Sequence, residues 1–357
     1  MIIPFIFSFL ITTFITPIFI FINKKIGLID DPKLHKHPGI IHTKPVPRGG
    51  GLPIFLGALI TGLFFLPHNS VTTAILIASA LTLIVGLIDD KLNARGKDIS
   101  PYLRFLLNIF TAIIIVASGV SIKFITHPFG GILHFDAIKF VIPLLPFPLL
   151  FSDIVSVIWL VWIMNMLNWS KGVDGQMPGI VAISAIIIGF LSLRLNAPTI
   201  GDALDAKLAF IIAGCALGFL LYNFHPAKIF PGYGATSLYL LLGVASILSS
   251  AKLATAILVM GIPLVDFVFT IIRRIVNKKS PFKGDKNHLH HILLKLGLSQ
   301  KQVALFYWCI SAILGIIALT LESKSKIFAI IMLIVITGGG IFFLHAVTKN
   351  INDTATS

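Results

Sequence analysis

Residues 74–91 read AILIASALTLIVGLIDDK, an apolar run from Ala74 to Ile88 that ends abruptly in two acids, Asp89 and Asp90, and then Lys91. A stretch of this length and composition is a membrane helix. Carboxylates at the mouth of such a helix are costly to place there. They either stop the helix at the water interface or serve as a catalytic pair. In the second case one acts as base, and the other binds metal or fixes its neighbour. Asn93, Arg95, Lys97 and Asp98 follow, so the acids face a basic loop.

The whole chain follows the same pattern. Hydrophobic residues make up 56% of its 357 positions and charged residues 12%, where a soluble domain carries about 25% charged. Mean hydropathy is +0.97. Eleven apolar stretches have the length of a bilayer crossing: approximately 2–22, 50–66, 71–88, 101–120, 153–169, 177–194, 204–223, 235–250, 253–273, 303–321 and 326–345. The fold class this predicts is an all-α polytopic membrane protein with 1–357 as one integral membrane domain. The net charge of +14 lies in short loops between apolar runs, which fits the positive-inside rule and not a nucleic-acid groove. With the N-terminus outside, 21 of the 28 Lys and Arg residues fall on the cytoplasmic side and seven outside. Segment 121–152 is then extracytoplasmic. It alternates around Pro128-Phe129-Gly130-Gly131 as a short β-hairpin, and Pro143, Pro146 and Pro148 argue against helix after it. Cys215 and Cys309 both sit in apolar runs, with neither a metal ligand nor a disulfide partner in prospect. No internal repeat is visible, and the polar clusters lie at one face and not at mid-membrane, which disfavours a transporter.

Five polar stretches share that face: 23–48, 89–100, 165–176, 224–235 and 274–302. The first closes on Arg48-Gly49-Gly50-Gly51, which suits either a phosphate cradle or a basic helix start at anionic lipid. In the third, Asn165 and Asn168 share a helix face and Asp174 sits in a glycine turn. These groups suit nucleobase edges, ribose hydroxyls or a metal, or else glue between helices. The fourth, Phe230 to Thr236, is a glycine-rich turn opening a helix, a plausible anion site. The fifth carries His288, His290 and His291. Three imidazoles could hold zinc, but the Lys and Arg around them favour hydrogen bonds to a pyrophosphate. Asp266, inside a span, is expected to pair with a polar neighbour in a structural role.

Taken in order, these stretches resemble the polyprenyl-phosphate N-acetylhexosamine-1-phosphate transferases, in the bacterial GlcNAc-1-phosphate branch of glycosyltransferase family 4. The resemblance covers roughly residues 20–300. It rests on His42, Pro45, Pro47, Arg48, Gly50 and Gly51; on Asp89-Asp90; on Asn165, Asn168, Gly172, Asp174 and Gly175; and on Asp285, Lys286, His288, His290 and His291. It implies transfer of a sugar-1-phosphate from a UDP-N-acetylhexosamine to polyprenyl (undecaprenyl) phosphate with release of UMP. The setting it implies is the bacterial inner membrane, with the site cytoplasmic, Mg²⁺ as cofactor and room for a homodimer. Carried over by residue, Asp89 and Asp90 are catalytic. Arg48, Asn165, Lys171, Asp174, Tyr233, His288, His290 and His291 bind substrate, and Asn168 is the metal ligand. Two positions depart from the family pattern. Lys171 stands where the first Asp of Asp-Gly-x-Asp-Gly belongs, and Tyr233 stands where a metal-binding Asp belongs. The departures motivate an alternative of another class, a silent lipid-phosphate-binding or scaffold homologue. They also motivate the expectation that Lys171 partly replaces the metal, with Tyr233 stacking on the nucleotide or closing the site.

The charge count makes a topological prediction. Single cysteines placed beside Asp89, Asp174, Tyr233 and His290 should resist an impermeant thiol reagent added to intact cells. Labelling from outside at two or more of them contradicts the orientation.

Overall fold

The computed structural model describes the chain apart from residues 35–40, 128–129, 142–147, 196–202, 249–252, 282–284, 286 and 356–357, with side chains described as far as Leu344. Its helices are α1 (Ile2–Lys25), α2 (Gly51–Phe65), α3 (Ser70–Asn93), α4 (Pro101–Ala117), α5 (Phe151–Trp169), α6 (Gln176–Leu195), α7 (Leu204–Asn223), α8 (Thr236–Ile247), α9 (Leu253–Val259), α10 (Gly261–Val276), α11 (Leu289–Lys295), α12 (Gln300–Thr320) and α13 (Ser323–Ala355). Seven of them, α1, α3, α5, α6, α7, α12 and α13, are long and apolar enough to cross a membrane, and α9 with α10 makes an eighth if the bent pair is one span. Three of the expected spans are the shorter helices α2, α4 and α8. The expected ninth span is not one straight helix: it bends by 80° at Met260. Pro263 removes a backbone donor and crowds the carbonyl of Val259, and Gly261 leaves space for the Leu333 side chain of α13.

The bundle is closely packed inside and apolar outside. All twelve residues of α8 are buried, and α7 packs between α1 and α6. On α1 the buried positions are Pro4, Ser8, Thr12 and Thr16, four apart, and Asn23 near the end, while Ile2, Phe14 and Phe21 are exposed. This inverts the soluble pattern. Small polar residues face the protein so that backbones approach closely, and large apolar ones face lipid. Gly214 and Gly218 on α7 receive this stripe: a Cβ on Gly214 would sit 2.1 Å from Ser8 Oγ.

Small strands occupy the connections. β1 (Ile29–Asp30) pairs antiparallel with β2 (Val46–Pro47), in register Ile29 with Pro47 and Asp30 with Val46. The pairing delivers Arg48 beside Asp30. The expected hairpin is present as β3 (Phe124–Thr126) against β4 (Ile132–His134); Pro128 and Phe129 at its turn lie outside the described residues. A second ribbon, β5 (Lys139–Phe140) with β6 (Leu149–Leu150), spans the proline segment. Of those prolines, Pro143 and Pro146 also lie outside the described residues.

The ends of α2 and α3 meet the turn before α8 at glycines. A Cβ on Gly51 would lie 2.1 Å from the carbonyl carbon of Gly234, and one on Gly86 2.3 Å from Gly234 Cα. Both clashes are with backbone, which cannot swing aside. Gly86→Ala should therefore destabilise the protein by about 1–3 kcal/mol, the usual cost of overpacking, measured by thermal unfolding in detergent. Gly338→Ala, inside α13 and with nothing within 4 Å of its Cβ, should not lower the midpoint.

Candidate active site

Asp89 and Asp90 are adjacent on α3, so their side chains leave the helix about 100° apart, and they do different things. Asp90 is fully buried. Its Oδ1 accepts from Arg48 Nε (2.9 Å) and from the Tyr233 amide (2.8 Å), and its Oδ2 from the Gly234 amide (3.4 Å). Arg48 continues from Asp90 to Asp30 Oδ2 (2.6 Å) and to Asn93 Oδ1. Asp90 is thus a clamp behind the wall of a cavity of about 370 Å³, while Asp89 lines that cavity. Asp89 accepts from Arg104 Nη1 (3.2 Å) and from the Ile99 amide (3.1 Å).

The end of α5 builds the next wall. Asn165 and Asn168, one turn apart, both line the cavity. Asn168 Nδ2 donates to Met164 O (2.8 Å) and Thr236 Oγ1 (2.7 Å), which fixes its carbonyl oxygen toward Lys171. Lys171 Nζ donates to that oxygen (2.9 Å) and to Gly232 O (2.9 Å). Burial and then Arg48 draw Lys171 down to about 7, against the pull of Asp90 and Asp89. An anion arriving in the cavity favours its charged form. Tyr233 stands beside it: Lys171 Nζ is 5.6 Å from the ring centroid and the Arg104 guanidinium 5.2 Å. The Tyr233 hydroxyl accepts from Asn108 Nδ2 (3.1 Å), and burial pushes it up to about 12, so it stays a neutral phenol.

Asp174 is held from behind. Its Oδ2 lies 2.8 Å from His225 Nδ1 and accepts from the Ala227 amide (3.1 Å). Gly172, in the same turn, carries the histidine motif on its face, since a Cβ there would lie 2.2 Å from His290 Nε2. Asp266 has the pairing role the sequence suggested: Oδ2 is 3.0 Å from His288 Nδ1, and Oδ1 accepts from the Leu289 amide (2.9 Å). His288 and His290 stack with centroids 5.5 Å apart, and His291 is 4.3 Å from His290. Burial, then the other histidines, hold His290 well below its ordinary value, and burial with His288 and Lys295 brings His291 down to about 4. Both are neutral donors at pH 7. Asp285 anchors the loop through Arg273 Nη2 (2.8 Å) and Arg274 Nη1 (3.0 Å), which hold its carboxyl low despite burial. Lys286 lies outside the described residues.

One cavity therefore gathers Arg48, Asp89, Asn165, Asn168, Lys171, Asp174, Tyr233, His288, His290 and His291, with Asp90 behind it. Sequence reasoning passed over Arg104, Asn108 and His225. Arg104 and Asn108 lie four apart on the inward face of α4, a polar pair like Asn165 and Asn168 that would have flagged them. His225 carried no such signal.

Magnesium takes oxygen ligands, usually one or two of them carboxylates. Asp89 and Asp174 are carboxylates on the cavity wall, but the other groups that the family pattern would put on a metal do not fit it. Asn168 Oδ1 is engaged by an ammonium, Asp90 is spent on Arg48 and two amides, and Tyr233 keeps its proton. Among the described residues no three His, Cys, Asp or Glu side chains converge as a metal site.

Fold and site define a polytopic helical membrane protein with a polar cavity, lined by charged, amide and imidazole side chains, at the ends of its helices. The chain matches glycosyl transferase family 4 over residues 72–250 and belongs to that family. It is 33% identical, over 94% of its own length and 89% of the relative's, to a Bacillus subtilis protein named "Probable undecaprenyl-phosphate N-acetylglucosaminyl 1-phosphate transferase". A Mycobacterium tuberculosis protein named decaprenyl-phosphate N-acetylglucosaminephosphotransferase is 31% identical, over 75% of this chain and 70% of the relative. A Thermotoga maritima protein named undecaprenyl-phosphate alpha-N-acetylglucosaminyl 1-phosphate transferase is 30% identical, over 79% and 78%. The resemblance read from the motifs is borne out.

The neutral histidines set a pH dependence. A histidine whose folded value lies below its unfolded value of about 6.5 refuses protons that the unfolded chain accepts, so stability falls as pH drops below that point. For His291 the loss runs down to about 4. Thermal midpoints should fall between pH 7 and pH 5, and His291→Gln should flatten that slope. An unchanged slope in the variant contradicts the assignment.

Proposed function

We propose that this chain transfers N-acetylglucosamine-1-phosphate from UDP-N-acetylglucosamine to a polyprenyl phosphate and releases UMP, as the first membrane step of an envelope polysaccharide. The observation that carries the reading is the convergence of Arg104, Lys171 and three histidines on one cavity around Asp89. Both substrates are anionic, and one is a lipid. Chemistry between them belongs where membrane helices end, and the five polar stretches come together there. The names of the relatives support the donor sugar and the acceptor. The charge bias supports a cytoplasmic site in a bacterial inner membrane, with eleven crossings in which α2, α4 and α8 are short spans and α9 with α10 one broken span.

In the reaction, an oxygen of the acceptor phosphate forms a bond to the β-phosphorus of the donor. The bond from that phosphorus to the oxygen bridging to the α-phosphorus breaks, and its electron pair leaves with UMP. When the acceptor arrives as a monoanion, its proton passes to Asp89, which Arg104 and the Ile99 amide hold at the cavity wall. Phosphoryl transfer asks mainly for positioning and charge neutralisation. His290 and His291, neutral in the folded protein, donate to phosphate oxygens. His288, aligned by Asp266, does the same. Asn165 and Asp174 face the nucleotide.

Purified protein given UDP-N-acetylglucosamine and undecaprenyl phosphate should release UMP, not UDP. Asp89→Asn should lower the rate by at least about a hundredfold, as expected for loss of a base. Unchanged turnover in folded Asp89→Asn protein makes Asp89 a helix stop and contradicts its role.

A further inference from the structure

We propose that the ammonium of Lys171 is the cation of this active site, so that the pyrophosphate is bound and its phosphoryl group transferred without a divalent metal. The transfer half of this statement rests on the function proposed above; the binding half does not.

The ammonium sits where a hard cation would. Its two partners are an amide oxygen, Asn168 Oδ1, and a backbone carbonyl oxygen, Gly232 O, each at 2.9 Å. Both are ligand types that oxygen-seeking cations use. An ammonium has three N–H donors. Two go to these oxygens, which leaves one for an oxygen of an anion in the cavity that Lys171 lines.

The surrounding charges are arranged in the same sense. Asp89 has Arg104, and Asp90 and Asp30 share Arg48, all within 3.2 Å. Lys171 is hydrogen-bonded to neutral oxygens instead, so its charge is available to a ligand. Its two partners are both positioned by other contacts. Asn168 is oriented by Met164 O and Thr236 Oγ1. The Gly232 carbonyl belongs to a turn whose next two amides donate to Asp90. That turn needs glycine: Gly232 has φ +66, and a Cβ there would lie 2.1 Å from Asp90 Oδ2. A charge held in place by preset dipoles stabilises developing negative charge without reorganising.

Tyr233 fits this arrangement and not a metal. Its phenol is neutral and already accepts from Asn108. What it offers Lys171 is a ring at 5.6 Å, within the range of a cation–π contact. The two departures from the family pattern, Lys171 and Tyr233, thus meet side by side. The lysine supplies the cation, and the aromatic neighbour supports it where a carboxylate would have paired with a metal.

The test measures binding as well as turnover, on full-length protein in detergent, with thermal unfolding to confirm the fold of each variant. UDP and uridine are titrated calorimetrically in EDTA and in Mg²⁺. The wild type should bind UDP in EDTA, and its turnover there should stay within about twofold of that in Mg²⁺. Lys171→Met should weaken UDP by at least about tenfold, as expected for loss of a charge-assisted bond, with uridine unchanged. Its turnover should fall by about a hundredfold or more. Lys171→Arg keeps the charge and should keep metal-free UDP binding, which covers the case in which the methionine variant does not fold. Conversely, Lys171→Asp combined with Tyr233→Asp should bind Mn²⁺ by electron paramagnetic resonance where the wild type does not. UDP binding that vanishes in EDTA and returns with Mg²⁺ overturns the proposal, as does Lys171→Met binding UDP like the wild type. Turnover strictly dependent on Mg²⁺ also overturns it and leaves the transferase reading standing. Metal-free UDP binding that depends on Lys171, without turnover under any condition, supports the cation assignment and strikes the transferase reading instead.

Discussion

The site depends on one buried carboxylate. Asp90 accepts from Arg48 Nε and from the amides of Tyr233 and Gly234, and so ties together three parts of the chain that are far apart in sequence. A carboxylate without water is tolerated only when its lone pairs are met, so the three donors must be in place together for the fold to hold. Backbone bonds extend the junction: the Gly50 and Gly51 amides donate to Phe230 O and Pro231 O, and the Phe230 amide donates to Pro47 O, all within 2.9 Å. The glycines at 51, 86 and 234 let α2, α3 and the turn before α8 come close enough for this to happen. Asp89, Tyr233 and Lys171 take their positions from that junction.

The cavity that results handles charge by division of labour. Arg48 and Arg104 are committed to carboxylates, and His290 and His291 are neutral. Lys171 donates to the neutral oxygens of Asn168 and Gly232. The cavity lies at the ends of α3 and α5, with Asp89 and Asn168 on its wall.

Much of this was legible in the sequence because membranes constrain it so strongly. Apolar length located the seven helices long enough to cross a membrane and the bent pair α9–α10, while three expected spans are shorter helices, and polar clusters at helix ends located the cavity. The hairpin at 124–134 followed from alternation and its glycines. The different duties of Asp89 and Asp90 were not legible, because adjacency in sequence hides the angle between neighbouring helical side chains. Nor was the 80° break at Met260, since apolar composition continues through it and only Gly261 and Pro263 mark it. Arg104 read as one more positive-inside charge, though it is the partner of Asp89. His225 had no sequence signal, since its value lies in a contact with Asp174 across 51 residues.

The central claim is that a phosphoryl group, and not the bare sugar, moves to the lipid. The most direct measurement uses UDP-N-acetylglucosamine carrying ³²P in the β-phosphate, with polyprenyl phosphate as acceptor, and follows the label after organic extraction. The account predicts that the label enters the lipid fraction in step with unlabelled UMP. Label that stays with UDP in the aqueous phase while the sugar moves, or a folded protein that leaves all label on the donor, contradicts it.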